Sequence, residues 1–174
     1  MMNTATEPRA RLRRPFGTSH ARASRCRPAK VEPEAAPIVV AVDNSRAAAA
    51  AAQAAVHLAR ELAAPLVFVY VRRGPSAALG EPYYQRRLDA EMRGGGRALD
   101  DALALAARAG VPATGEQLAG RPARRVVELA RLRGARLVVL GSRRRRFGRS
   151  VSRGVIRSAD RPVIVAGRTE PVVA

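Results

Sequence analysis

The sequence has few of the residues that build metal sites, disulfide frameworks and aromatic cores. Among 174 residues there are one cysteine, Cys26, two histidines, His20 and His57, six phenylalanines and tyrosines, and no tryptophan. A single cysteine excludes a disulfide framework within the chain, and two histidines far apart give no metal-ligand cluster. We therefore expect no structural or catalytic zinc, and a core filled by Val, Leu, Ile and Ala.

Long hydrophobic runs are also missing. No apolar stretch approaches the roughly 20 residues that a membrane-spanning helix needs. Arg13 and Arg14 superficially resemble a twin-arginine export signal, but no hydrophobic segment follows them. The sequence therefore predicts a cytoplasmic protein without a membrane segment.

Lysine is almost absent, because Lys30 stands against 31 arginines in a chain of formal net charge +18. Such a skew is typical of a base-composition effect, so we interpret scattered arginines as solvated. The basic cluster from Arg143 to Arg153 is dense enough to attract a polyanion. It lacks the interleaved aromatic residues of single-strand nucleic-acid sites, so weak nucleic-acid binding stays an alternative function.

Composition divides the chain into a domain and two tails. Residues 1–36 are rich in Arg, Pro, Ser and Ala with few large apolar residues. Such a segment cannot repay the entropy of folding, and we expect a disordered basic tail. Residues 37–167 are predicted to form one α/β domain, and residues 168–174 a C-terminal tail.

Within residues 37–167, five apolar segments alternate with four segments of helical periodicity. The predicted strands are 38–42, 66–71, 111–119, 137–140 and 162–166, with the third at a sheet edge. This alternation predicts an open parallel sheet with helices on both faces. The most distinctive polar chemistry follows the first strand, at Asp43, and the fourth, at Gly141. If these strands are neighbours, the order is 3-2-1-4-5 and a ligand site lies between them.

The longest predicted helix, residues 83–109, contains three consecutive glycines at 94–96. Its apolar positions keep a spacing of three to four residues through them: Leu88, Met92, Gly95, Leu99, Ala102, Leu103 and Ala106. Each glycine costs about 1 kcal/mol relative to alanine inside a helix. Close backbone packing and a flexible joint are both compatible with the sequence.

Four motifs in this order resemble the universal stress protein family over 37–167. They are Val-Ala-Val-Asp-x-Ser from Val40, Gly-x-Pro-Ala from Gly120, Leu-Val-Val-Leu-Gly-Ser from Leu137, and the closing motif from Ser150 to Val165. The resemblance implies a role in the stress response, ATP as cofactor, and a homodimer. The fifth strand, as an exposed sheet edge, is the expected dimer contact.

In ATP-binding members of that family, the fourth strand is followed by a motif that resembles Gly-x2-Gly-x9-Gly-Ser/Thr. Counting forward from Gly141 places the last pair at Gly154, whereas counting back from Pro162 places it at Arg149 and Ser150. Ser150 suits a helix N-cap, and Val151, Val155, Ile156 and Ala159 give that helix an apolar face. Gly154 is then a packing position in mid-helix, and the loop is about five residues shorter than the family pattern.

Two of the three loop glycines are thus replaced by Arg144 and Arg149. Glycine lets backbone N–H groups approach phosphate oxygens and larger residues obstruct them, although arginine can itself bind phosphate. On the adenosine side the resemblance implies Val42, Asp43, Val71, Leu140 and Gly141. On the phosphate side the candidates are Arg144, Arg149, Ser150 and the Val151 amide.

We expect no enzyme. The chain has no Ser-Gly-Gly-x-Asp-Ser loop of the kind that adenylating α/β proteins carry, and His57 lies on the polar side of its helix, unsuited to a Ser-His-Asp triad. The predicted function is a universal-stress-type module that binds an adenine nucleotide without rapid turnover. A nucleotide-free module of the same fold that acts on an unidentified protein partner is the alternative.

Overall fold

The computed structural model describes residues 35–74, 80–142 and 150–167, and within them five strands alternate with four helices. The elements are β1 (Ile38–Ala41), α1 (Arg46–Glu61), β2 (Leu66–Arg72), α2 (Tyr83–Arg108), β3 (Ala113–Ala119), α3 (Pro122–Leu132), β4 (Leu137–Gly141), α4 (Val151–Ser158) and β5 (Val163–Ala166). All strand pairs are parallel, in the order β3-β2-β1-β4-β5. This order confirms the prediction. Residues 1–34 and 168–174 of the predicted tails, and the loop arginines Arg144 and Arg149, lie outside the described residues.

The sheet is covered on both faces, as predicted. Val40, Phe68 and Val139 pack beneath α1 and α2, while the alternate residues Val39 and Val138 pack beneath α3 and α4. Because successive strand residues point to opposite faces, a strand buried on both sides must be apolar throughout. This explains the unbroken apolar runs of the central strands.

The three glycines of α2 lie in a continuous helix, and two of them, Gly94 and Gly95, allow close packing. A Cβ atom on Gly95 would lie 2.6 Å from Cδ1 of Tyr70 and 2.7 Å from Nε2 of Gln117, whereas one on Gly96 would meet nothing within 4 Å. The Asn44 side-chain amide donates a hydrogen bond of 3.1 Å to the Gly94 carbonyl. Glycine at 94 and 95 therefore lets α2 approach the loop after β1 and the ring on β2.

The sequence pattern placed Met92 and Ile156 on apolar helix faces, but both side chains are exposed. Met92 is 44% exposed, and its sulfur accepts a hydrogen bond of 3.4 Å from the side-chain amide of Gln117 on β3. Because β3 is an edge strand, no further strand covers Met92. Ile156 is 56% exposed while its neighbour Val155 is fully buried. Consecutive helical residues point about 100° apart, and the α4 stripe that packs on the sheet is Val151, Val155 and Ala159.

Gly154 is a packing position, which confirms the count that placed it in mid-helix. A Cβ atom there would lie 2.8 Å from Cβ of Ala123. Near the other end of the same helix pair, Arg131 reaches the Ser158 carbonyl and the Asp160 carboxylate. Helices α3 and α4 therefore run side by side in the same direction.

Candidate functional site

A cavity of about 330 Å³ opens at the carboxyl ends of β1, β2 and β4. Strand β1 lies between the other two, and its continuation α1 covers one face of the sheet while α4, which follows β4, covers the other. Connections that leave neighbouring strands toward opposite faces open a crevice, and ligands bind there in open α/β sheets. The volume is at the lower end of the roughly 300–1,000 Å³ typical of small-molecule sites.

The structure brings seven of the nine sequence-predicted site residues to this one cavity. They are Val42, Asp43, Val71, Leu140, Gly141, Ser150 and Val151. The sequence-based selection missed other lining residues, among them Ser45, Tyr70, Arg72, Arg73, Glu91 and Ser152. Tyr70, Arg72 and Arg73 lie next to Val71 in the chain. The end of β2 was therefore the sequence signal that could have identified them as lining residues.

The loop after β1 holds the carboxylate of Asp43 in a tight turn. Its Oδ1 accepts a hydrogen bond of 3.0 Å from the Ser45 N–H. Ser45 in turn caps α1, because its hydroxyl accepts from the Ala48 N–H at 3.2 Å. Turn and cap together fix the direction of both side chains at the cavity.

The start of α4 is held in a similar way. Ser150 is the N-cap, as predicted, and its hydroxyl accepts from the Arg153 N–H at 3.4 Å. The Ser152 hydroxyl donates to the Gly141 carbonyl at 3.1 Å. This second bond ties the first turn of α4 to the last residue of β4.

Three helices begin at the cavity, since its lining includes Ser45 of α1, Pro122 of α3, and Ser150 and Val151 of α4. None of these three helices has an acidic residue in its first turn. Helix N-termini carry a partial positive charge and exposed N–H groups, which favour a bound anion. The end of the cavity where α3 and α4 begin is therefore the end best suited to bind an anion.

Gly141 has a packing role as well as its place in the lining. A Cβ atom at this position would overlap the Ala47 carbonyl, with its carbon at 2.5 Å, and would lie 2.8 Å from the Ala48 nitrogen. These are backbone atoms of the first turn of α1, which cannot rotate away. Glycine is therefore required for β4 to end against α1.

The opposite end of the cavity, at the end of β2, combines the Glu91 carboxylate and the Tyr70 phenol with two arginines, Arg72 and Arg73. The Glu91 carboxylate on α2 accepts from the Gly74 N–H through Oε2 at 3.1 Å, and its Oε1 lies 3.9 Å from Nε of Arg87. Burial, followed by the negative charges of Glu91 and Asp43, raises the pKa of the Tyr70 phenol. The phenol is therefore neutral at pH 7, close to two carboxylates.

The walls between these two ends are apolar. Val69 and Val71 of β2, Val126 of α3 and Leu140 of β4 all line the cavity. An apolar slot that joins an anion-binding end to a polar end is suited to a flat aromatic ring that carries an anionic group.

The histidine that the sequence offered for a catalytic triad does not lie at the cavity. His57 is exposed on α1 and is not a lining residue. In the described part of the chain, no three His, Cys, Asp or Glu side chains are grouped as a metal ion would require. None of the helices described there has the length and apolar character to cross a membrane.

Comparison with known proteins gives consistent matches. The sequence model of the universal stress protein family matches residues 35–167. Universal stress protein YxiE of Bacillus subtilis (strain 168) is 35% identical over 115 residues, covering 61% of this chain and 78% of that protein.

Two solved structures are similar in fold and sequence. A universal stress family protein from Burkholderia pseudomallei is 33% identical with a TM-score of 0.65, covering 77% of this chain and 97% of that one. The universal stress protein of Archaeoglobus fulgidus in complex with dAMP is 28% identical with a TM-score of 0.62, covering 76% and 98%.

Proposed function

Because the chain belongs to the universal stress protein family, we propose that its cavity binds an adenine nucleotide and holds it without rapid turnover. The observation that carries the proposal is the convergence of the ends of β1, β2 and β4 with three helix N-termini on one cavity. The dAMP complex of the Archaeoglobus fulgidus relative supports the ligand class.

The two ends of the cavity support one orientation of the proposed nucleotide. Its phosphates bind at the start of α4, where Ser150 and Val151 line the cavity and the helix dipole favours negative charge. The base occupies the apolar slot toward Val71, and the ribose hydroxyls lie near the Asp43 carboxylate, which accepts hydrogen bonds. Arg144 and Arg149 contribute to phosphate binding in place of glycine backbone.

The absence of rapid turnover is part of the proposal. The carboxylates of Asp43 and Glu91 each accept a backbone N–H, from Ser45 and Gly74, an arrangement that favours fixed acceptors over proton transfer. We propose that the bound nucleotide acts as a signal in a cytoplasmic stress response. Phosphate release from ATP should stay at the rate of the protein-free control.

Isothermal titration of the full chain with ATP, ADP and AMP tests the proposal. We expect saturable binding of one nucleotide per chain at millimolar concentration or below, and an increase in melting temperature with ligand concentration. No heat and no thermal shift at millimolar nucleotide would contradict it. That result would instead favour the nucleotide-free module acting on a protein partner, which the two arginines at loop glycine positions motivate.

A further inference from the structure

Met92 is the one sulfur-containing residue in the described part of the chain. The sequence has three others, Met1, Met2 and Cys26, all of which precede residue 35. Met92 lies on α2 beside the edge strand β3, and its exposed fraction of 44% means that solvent reaches it in the folded protein. Oxidation of methionine to the sulfoxide is a common oxidative change in proteins. An oxidant dissolved in the solvent therefore has access to this side chain.

A hydrogen-bond donor is already placed at the Met92 sulfur. The side-chain amide of Gln117 donates to it at 3.4 Å. Packing fixes the position of this amide, because Gln117 is the register partner of Tyr70 on β2 and both side chains lie against Gly95. A Cβ atom on Gly95 would be 2.7 Å from the amide nitrogen and 2.6 Å from Cδ1 of the tyrosine ring. The donor is therefore oriented before any oxidation takes place.

Oxidation would strengthen this hydrogen bond. A thioether sulfur is a weak acceptor, whereas the sulfoxide group is polar and carries an oxygen on the sulfur. Methionine is flexible, so a small rotation brings that oxygen to the Gln117 amide. In a packed core the same oxygen would be placed among apolar side chains and would disrupt them. At Met92, which is exposed at the sheet edge, water solvates the rest of the sulfoxide group.

We propose that Met92 is a reversible oxidation site for peroxides, and that the Gln117 amide holds its sulfoxide without loss of the fold. Hydrogen peroxide transfers an oxygen atom to the sulfur: the S–O bond forms, the O–O bond breaks, and the sulfur loses two electrons. The leaving hydroxide takes up the proton of the transferred oxygen and departs as water. A thiol-dependent sulfoxide reductase reverses the step, releasing the oxygen as water while two thiols become a disulfide. Neither Met92 nor Gln117 lines the cavity, so this inference does not depend on nucleotide binding.

Peptide mapping by mass spectrometry of the full chain treated with hydrogen peroxide tests whether the oxidant reaches the site. Met92 in the folded protein should gain one oxygen at nearly the rate found in the same chain unfolded in urea. A pair of sulfoxide reductases, one for each epimer, should return the folded protein to its original mass in the presence of a thiol. Oxidation of Met92 only after unfolding would overturn the inference, and so would a sulfoxide that the reductases leave in place.

Urea denaturation before and after peroxide treatment tests the role of Gln117. In the wild type, oxidation should raise the urea midpoint, because the sulfoxide oxygen is the better acceptor. Gln117→Glu keeps the size of the side chain but removes the donor, so oxidation should lower the midpoint of this variant. Met92→Leu should show no change on treatment, which excludes effects of the other sulfur atoms. A lower midpoint of the oxidised wild type, or equal shifts in the wild type and either variant, would overturn the inference.

Discussion

At the residue scale, positions without a side chain set how closely the helices approach the sheet beside the cavity. Gly95 admits the Tyr70 ring and Gly141 admits the first turn of α1. These glycines are needed for space, since neither has a positive φ angle. A methyl group at either position would displace atoms that shape the crevice.

The adjacent pair Gly95 and Gly96 gives a matched test of this packing. Gly95→Ala should lower the free energy of unfolding by about 1–3 kcal/mol, because the added methyl overlaps the Tyr70 ring. Gly96→Ala should raise it by about 0.5–1 kcal/mol, because nothing lies within 4 Å and alanine is the better helix former. Urea denaturation measures both, and equal effects of the two substitutions would contradict the packing described.

The raised pKa of Tyr70 gives a prediction on pH. Burial and the charges of Glu91 and Asp43 place this pKa above the ordinary value of 10.0. Because the pKa of Tyr70 is higher in the folded than in the unfolded protein, the neutral phenol contributes stability that is fully present below about pH 10. This stability is lost as pH rises through the folded pKa. Alkaline titration of tyrosinate absorbance, with Tyr70→Phe to identify the signal, measures it.

Glu91→Gln should lower the pKa of Tyr70 toward its ordinary value by removing one of the two negative charges, while the effect of burial remains. An ordinary pKa for Tyr70 in the wild type would show that the phenol is not held near these carboxylates.

At the scale of elements, the caps of α1 and α4 join secondary structure to the cavity. Ser45 and Ser150 each satisfy a first-turn N–H and line the same space. A substitution at such a position therefore acts on helix stability, on ligand binding, or on both, depending on what the new side chain can accept.

Two substitutions of Ser150 separate these effects. Ser150→Ala should cost about 1 kcal/mol of unfolding free energy, because the cap is lost. Ser150→Asp should keep the cap, since aspartate is a good N-cap residue, but should weaken nucleotide binding about tenfold or more by placing a carboxylate at the phosphate end. Thermal unfolding and titration with AMP measure the two quantities. Undiminished AMP binding by Ser150→Asp would show that phosphate binds elsewhere.

The sequence predicted the strand order and seven of the residues that line the cavity because both depend on local signals. A strand buried on two faces is a continuous apolar run, such as Ile38–Ala41, and its polar successor marks the site. Glu91 was missed because its position depends on where α2 crosses the end of β2. Met92 and Ile156 were mispredicted because helical periodicity does not reveal where the covering sheet or the helix contact ends.

At the scale of the whole molecule, charge is unevenly divided between the two faces of the sheet. Helices α3 and α4 carry five arginines and one glutamate, whereas the longer α1 and α2 carry seven arginines and five acidic residues. Opposite the balanced face, the α3 and α4 side therefore presents most of its charge as arginine.

This imbalance gives the polyanion alternative a specific surface. A short DNA duplex should bind weakly, with an affinity that falls steeply as salt rises. Arg153→Glu on α4 should weaken it by about one order of magnitude, while Arg97→Glu on α2 should leave it unchanged. Fluorescence anisotropy across a salt series measures this, and no binding at low salt, or binding insensitive to salt, would dispose of the alternative.

The edges of the sheet bear on assembly. Strand β5 is one edge, and Val165 on it is 37% exposed, so we predict a homodimer through this strand. Val165→Glu should weaken association about tenfold or more, because each copy brings a like charge to the contact. Thr114→Glu on the other edge strand, β3, should not. Sedimentation equilibrium at micromolar concentration measures this, and a monomeric wild type would contradict the prediction.

The most direct test of nucleotide binding in this crevice is a crystal structure of the full chain grown with AMP. We predict the base in the slot beside Val71 and Glu91, and the phosphate at the N–H groups that open α4. AMP bound at any other surface, or a crevice without nucleotide under conditions where titration shows saturation, would contradict the account.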